Sequence, residues 1–279
     1  MATEYQAIKI EREGGITFLL HNRPEKRNAM SPQLHMEMDR ALDELADDDQ
    51  TKVLVLSGAG EAFCAGQDIK LFFRETDNNP VLKRQATAAS RSWRWRKLGR
   101  FPKATIAMVN GYCFGGAFTQ VCSCDFAIAA DEAIFGLSEV NWGTIPGGIV
   151  SWNVSHTMNY RDALWYAITG DQFDGKEAVK IGFVNRSVPK ERLRGEVVAL
   201  AEKLMKKNVS TVRSIKEAIR HTRFMNWPEA EDYLDAKVEA LRFHDPGARE
   251  SAVKQFLDDK AYRPGFGAYD KDNSEKQDQ

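Results

Sequence analysis

The chain has 279 residues, 43% of them hydrophobic, 28% charged and 10% aromatic, a composition ordinary for a globular protein long enough to bury a core without disulfide or metal staples. Lys and Arg number 39 against 40 Asp and Glu, a net charge of −1, which leaves no global field to draw in nucleic acid or an anionic membrane. Any anionic ligand must therefore be held by local basic groups. Cys64, Cys113, Cys122 and Cys124 sit in apolar stretches, and the opening residues lack the basic and apolar regions of a secretion signal. No apolar run approaches the roughly 18–20 residues of a membrane span. The expectation is a reducing, cytoplasmic setting with buried free thiols. Cys122-Ser123-Cys124 offers half a metal site, but no partner pair follows at ligand spacing, so no metal is expected.

Residues 15–20 read as a strand. Ser31-Pro32 then places an N-cap before a proline at the first helical position, and Leu34, Met38, Ala41, Leu42 and Leu45 give the following helix one apolar face. The acidic run 47–49 reads as its solvated end. A short apolar strand at 53–57 is closed by Gly58-Ala59-Gly60, and 104–109 and 125–130 are two more. Strands alternating with helical patterns predict a sheet flanked by helices with crossover connections. In Ser92-Trp-Arg-Trp-Arg96 the alternation of tryptophan and arginine reads as helix packing with arginine heads snorkelling to water; an aromatic wall for a ligand is the alternative. From about residue 160 the pattern is helical, over 161–168, 176–181, 191–207, 210–223, 229–243 and 248–258, and the polar end 271–279 is expected to fray. The histidines at 21, 35, 156, 221 and 244 are scattered, and none joins a nucleophile in a motif, which disfavours a Ser-His-Asp mechanism.

Three segments carry candidate chemistry. Asn110-Gly-Tyr-Cys-Phe-Gly-Gly116 follows an apolar strand and leads into a helical stretch, so free amides and a helix dipole there can stabilise negative charge; glycine at a strand–helix packing contact explains it equally well. Glu139, in Phe135-Gly-Leu-Ser-Glu139, lies between an apolar strand and a Gly/Pro-rich loop, where a carboxyl in apolar company gains a raised pKa suited to acid–base work; a capping or salt-bridged glutamate is the bland reading. Between residues 60 and 69 a βα loop could add a second backbone donor to the same anion.

Taken in order, Asn22-Arg-Pro-Glu-Lys-Arg-Asn-Ala29, Ala65-Gly-Gln-Asp-Ile69, Gly111 to Gly116 and Ser138-Glu139 resemble the crotonase (enoyl-CoA hydratase/isomerase) superfamily, over roughly residues 5 to 262. Residues 22–32, 105–111 and 135–143, with Lys254-Gln-Phe-Leu-Asp-Asp-Lys260, are most similar to the hydroxycinnamoyl-CoA (feruloyl-CoA) hydratase-lyase group. The resemblance implies an α/β fold of repeated ββα units winding as a spiral. It implies a core over 1–200 with the CoA and active sites, a C-terminal helical trimerisation region over 201–265, and a polar tail over 266–279 expected to be disordered. It implies a homotrimer or a dimer of trimers, with no nucleic acid, no membrane and no cofactor beyond the coenzyme A of an acyl-CoA substrate. Coenzyme A would lie near Lys26, Arg27 and Ala29, with its adenine against Ala65, Asp68 and Ile69, and Phe256 and Lys260 near the CoA of a neighbouring subunit. The amides of Gln67 and Gly116 would form an oxyanion hole.

Many hydratases of that superfamily use two glutamates; here Thr119 stands at the first position and Glu139 is left as the acid/base, a single-carboxylate site like that of the hydratase-lyases, with Thr119 orienting water or a hydroxyl. The activity so implied is hydration of an aryl-enoyl-CoA followed by retro-aldol cleavage to an aromatic aldehyde and acetyl-CoA. The alternative is a plain hydratase or isomerase on another acyl-CoA. A catalytically silent CoA- or RNA-binding scaffold is disfavoured by the intact Glu139 and by the net charge of −1. The departures lie in the substrate pocket: phenol-gripping tyrosines of the group map onto Phe72, which cannot hydrogen-bond, and Asp235, which can accept a hydrogen bond or be a surface helix residue. Trp142 packs near the acyl group or in the core.

Overall fold

Two sheets organise the first compact unit, Met1–Lys207. The computed structural model describes residues 5–260 and the backbone of Tyr262–Arg263 and Gly267–Ala268. Apart from those last two residues, the tail expected at 266–279 lies outside the described residues. In chain order the first unit comprises β1 (Ile8–Glu13), β2 (Ile16–His21), α1 (Pro32–Asp47), β3 (Val53–Gly58), β4 (Ala62–Cys64), α2 (Pro80–Arg91), β5 (Ala104–Val109), β6 (Tyr112–Phe114), α3 (Ala117–Ser123), β7 (Phe126–Ala130), β8 (Ile134–Gly136), α4 (Val150–Thr157), α5 (Tyr160–Thr169), β9 (Gln172–Asp174), α6 (Gly175–Lys180), β10 (Arg186–Val188) and α7 (Lys190–Met205). The large sheet has the order β1-β2-β3-β5-β7-β10 and the small one β4-β6-β8-β9.

This order is the repeated ββα fold. Each of the pairs β3/β4, β5/β6 and β7/β8 sends its first strand to the large sheet and its second to the small one, and a helical segment returns the chain. Within β2, β3 and β5 every residue is buried, so these strands are predominantly apolar on both faces rather than alternating, as parallel strands covered on both sides are. The large sheet is parallel from β2 onward, with Val53 opposite Ala104 and Ile106 opposite Phe126.

Helix α1 starts where the sequence places it: the Ser31 hydroxyl accepts from the Leu34 amide at 3.2 Å, and Leu34, Met38, Ala41, Leu42 and Leu45 are all buried. A second piece of core forms beneath the small sheet. Phe135 of β8 stacks on Phe173 of β9 at 5.2 Å, while Phe118 of α3 meets Phe183 at 4.6 Å and Phe135 edge-on at 6.2 Å. Such ring pairs contribute about 0.5–1.5 kcal/mol each beyond their buried area. They tie the helix after Gly116 to the strand before Glu139.

The second compact unit, Asn208–Gln279, carries α8 (Val209–Thr222), α9 (Trp227–His244) and α10 (Pro246–Leu257). Asn226 and Glu229 form a reciprocal capping box at the start of α9, and Glu217 of α8 pairs with Lys237 of α9. None of the described side chains on these helices is buried; Ile219 is 61% and Phe243 83% exposed. Among the described residues no helix is long and apolar enough to cross a membrane.

Candidate active site

The three short parallel strands β4, β6 and β8 end side by side, with Cys64 opposite Cys113 and Phe114 opposite Gly136. Their carboxyl ends therefore deliver three loops to one place: 65–69, 115–116 and 137–139. Gly66 has φ +93°, open to glycine and strained for any other residue, and a Cβ built on it would lie 3.0 Å from the Phe114 carbonyl and 3.9 Å from the Gly116 amide nitrogen. The Gln67 segment is thus pressed against the start of α3. Met30 bridges this segment: its amide donates to the Gly66 carbonyl at 2.8 Å, and its carbonyl accepts from the Asp68 amide at 3.0 Å. That pattern turns the Gln67 N–H away from Met30, and among the described residues neither it nor the Gly116 N–H has an acceptor in the protein.

Glu139 opens a single 3-10 turn, Glu139–Trp142, which follows β8 after Leu137 and Ser138. The Gly115 amide donates to the Gly136 carbonyl at 3.0 Å, and a Cβ on Gly115 would stand 2.9 Å from Glu139 Oε1. The carboxylate therefore faces the glycines of the α3 turn. Its Oε2 is buried without a hydrogen-bond partner, and burial raises the carboxyl pKa above the ordinary glutamate value. A half-buried acid beside two free amides suits proton transfer next to a developing oxyanion.

Lys26 closes a 3-10 turn, Pro24–Lys26, and Arg27 and Asn28 follow in the left-handed region at φ 48° and 59°. Lys26 and Arg27 are exposed, and Arg27 lies 4.7 Å over the Tyr112 ring. The Ala65 amide donates to the Arg27 carbonyl at 2.9 Å, which joins this basic turn to the Ala65–Ile69 loop. Asp68 is occupied locally: it pairs with Arg23 at 2.9 Å and accepts from the Leu71 amide at 2.9 Å. Arg23 also donates to the Ala29 carbonyl. Ile69 is 52% exposed.

Thr119 is fully buried on α3, and its hydroxyl donates to the Gly148 carbonyl at 2.9 Å, so its proton holds the 143–148 loop. Phe72 lies on a π-helical stretch, Ile69–Glu75, edge-on to His35 at 5.2 Å. Trp142 is 66% exposed on its turn. Asp235 on α9 and Phe256 on α10 are exposed, Phe256 at 43%, and Lys260 follows α10 at φ 45°; all three belong to the second unit.

These features have counterparts in known proteins. The chain matches the enoyl-CoA hydratase/isomerase family over residues 11–260. It belongs to that family. It is 47% identical to a hydroxycinnamoyl-CoA hydratase-lyase of Pseudomonas fluorescens, over 95% of this chain and 97% of the relative. A crystal structure of an enoyl-CoA hydratase from Bacillus anthracis superposes with a TM-score of 0.81 at 27% identity, covering 90% of this chain and 96% of that one. One from Mycobacterium smegmatis also gives 0.81, at 26% identity over 91% and 97%.

As a hydratase/isomerase-family chain, this one carries two site features that the sequence reading missed. Arg94 does not snorkel: it is 4% exposed on a second π-helical stretch, Ser92–Lys97, and donates from Nε to the Ser90 carbonyl at 3.3 Å and from Nη1 to the Gly116 carbonyl at 3.4 Å. Helical wheels place an arginine next to two tryptophans at a rim, but the wider π turn points it inward. His35 is the other. Trp93 Nε1 can only donate, and it does so to His35 Nδ1 at 2.9 Å; His35 Nε2 therefore holds the proton and donates to Gln67 Oε1 at 2.8 Å. Burial, helped by the Arg94 charge, pushes the His35 pKa down to about 3 and keeps it neutral. Its partners lie 32 and 58 residues away, so no local motif announces the chain of bonds.

Proposed function

We propose that this enzyme hydrates a hydroxycinnamoyl-CoA thioester and then cleaves the product, with Glu139 as its acid/base. The observation that carries the reading is Glu139 itself: a half-buried carboxyl of raised pKa, set against the Gly115–Gly116 turn in a chain 47% identical to a hydroxycinnamoyl-CoA hydratase-lyase. The amides of Gln67 and Gly116 hold the thioester oxygen. Donors of this kind are worth roughly 3–4 kcal/mol each in other enzymes, so they dominate the rate. Glu139 first takes a proton from water as its oxygen attacks Cβ, giving the thioester enolate, and then returns that proton to Cα. In the second step Glu139 takes the proton of the β-hydroxyl, the Cα–Cβ bond breaks, and the electron pair passes to the enolate of acetyl-CoA. Protonation of that enolate at Cα by Glu139 completes the cycle and leaves an aromatic aldehyde.

Coenzyme A lies along the basic turn at Lys26 and Arg27 and the backbone of Ala29, Ala65 and Ile69, whose juxtaposition is supported by the Ala65–Arg27 hydrogen bond. Asp68 serves this surface by fixing Arg23 and the start of the 69–75 turn. The exposed apolar side chains of the second unit suit assembly into a trimer or a dimer of trimers, with Phe256 and Lys260 near a neighbouring subunit's CoA, in a cytoplasmic enzyme. Phe72 favours a second reading, hydration without cleavage of a non-phenolic acyl chain, because it can make no hydrogen bond to a ring hydroxyl. Assay of Glu139→Ala tests the mechanism: turnover is lost while acetyl-CoA still raises the melting temperature, and full activity in that variant would refute the assignment.

A further inference from the structure

Arg94 takes no part in the steps above, yet it is the buried cation nearest to them. Among the described residues no carboxylate pairs with it. Burial lowers its pKa to about 10, which still leaves it protonated at neutral pH. The groups around it are neutral there: His35 of α1, held near 3; the Cys64 thiol of β4, pushed by burial up to about 11; and the Trp95 ring, 5.2 Å from the guanidinium.

The glycines show that the guanidinium is built into the catalytic turn. A Cβ on Gly116 would stand 2.8 Å from Nη1, and a Cβ on Gly148 would stand 2.8 Å from Nη2. The cation is thus slotted between the start of α3 and the loop that Thr119 holds. Because Cβ and N share the same Cα, Nη1 lies within about 5 Å of the Gly116 amide nitrogen. A desolvated charge without a counter-ion is costly. The Glu139 carboxylate faces Gly115 and makes no ion pair with Arg94, and as Glu139 takes up its proton the negative charge passes to the thioester enolate beside Gly116.

We propose that Arg94 is the electrostatic partner of the enolate: no carboxylate pairs with it among the described residues, and its buried charge is matched as negative charge passes from Glu139 to the thioester oxygen at Gly116. Such a cation favours the transition state over the bound ground state, because the neutral thioester gives it nothing to balance. The inference rests on the oxyanion role proposed above for Gly116.

The test uses acetoacetyl-CoA, a 3-oxo thioester whose enolate absorbs in the ultraviolet. Absorbance of the bound ligand is followed against pH for the full-length protein and for Arg94→Gln, Arg94→Met and Arg94→Lys, with two neutral replacements so that failure of one to fold leaves the other. The unaltered protein should enolise the bound ligand at lower pH than free acetoacetyl-CoA does. The neutral variants should raise that apparent pKa by about one unit and lower kcat about tenfold, with acetyl-CoA affinity within about twofold. Lysine should retain most of the shift. An unchanged enolate titration in the neutral variants would overturn the proposal, and so would a lysine variant as impaired as they are, since that outcome assigns Arg94 to hydrogen bonding alone. Failure of the unaltered protein to enolise ligand it binds would instead remove the oxyanion reading and this inference with it.

Discussion

The thioester end of the site and the residues expected to read the acyl group are built in different ways. At the thioester end, backbone does the positioning: three parallel strands fix the Gln67, Gly116 and Glu139 segments, and Phe118 and Phe135 lock two of them together from below. The acyl-reading residues instead ride on exposed or irregular pieces. Trp142 is 66% exposed, Phe72 sits on a π turn, and Asp235 is exposed on a helix of the second unit. A ladder cannot shift without breaking several hydrogen bonds at once, whereas an exposed side chain changes at little cost. On the proposed mechanism, chemistry is held by the first region and specificity is free to vary in the second.

The largest expected effect lies at the centre of the rigid region. Glu139→Gln should lower kcat/KM by about 10²–10⁴-fold, as loss of a general base does. With the carboxyl present, activity requires its ionised form, so the acid limb of the kcat/KM profile should lie above the ordinary glutamate range. The same shift predicts a sign for stability. A carboxyl whose folded pKa is raised loses stability as pH rises through that value, so at neutral pH Glu139→Gln should melt at the same temperature as the parent or higher. A marked drop would show that Glu139 is structural.

Next comes the ring cluster below. Phe135→Ala should cost about 3–5 kcal/mol in denaturant unfolding. If the ladder alone holds the site, the folded fraction will keep its activity; the account predicts that it does not. His35→Leu should lower kcat about tenfold without changing acetyl-CoA affinity, because it frees the Gln67 side chain beside the amide proposed to bind the oxyanion. Equal changes in KM and kcat would reduce His35 to packing.

The exposed region gives smaller numbers. Phe72→Tyr should favour a 4-hydroxyaryl thioester over its unsubstituted analogue by about five- to tenfold, the worth of one hydrogen bond, measured as a ratio of kcat/KM. A ratio that does not move would place the ring elsewhere. Smallest is Ser31→Ala, expected to cost about 1 kcal/mol of stability with activity intact.

The division also explains what the sequence made legible. Apolar runs at 53–57 and 104–109, the Ser31-Pro32 cap and the glycines of 111–116 all act locally, and each marks its element directly. The raised pKa of Glu139 was legible from its apolar surroundings, whereas its acid/base role came from the resemblance. The Trp93–His35–Gln67 chain was not, since it joins a helix, a π turn and a loop far apart in sequence. Arg94 was misread because ordinary helical periodicity points it outward, and a π turn, which the pattern of residues does not announce, points it inward.

Product analysis tests the central claim most directly. Purified protein incubated with feruloyl-CoA or 4-coumaroyl-CoA should yield the aromatic aldehyde and acetyl-CoA in equal amounts, and neither should form with Glu139→Gln. Accumulation of a β-hydroxyacyl-CoA without aldehyde would contradict the cleavage step and leave a hydratase whose acyl pocket is set by Phe72.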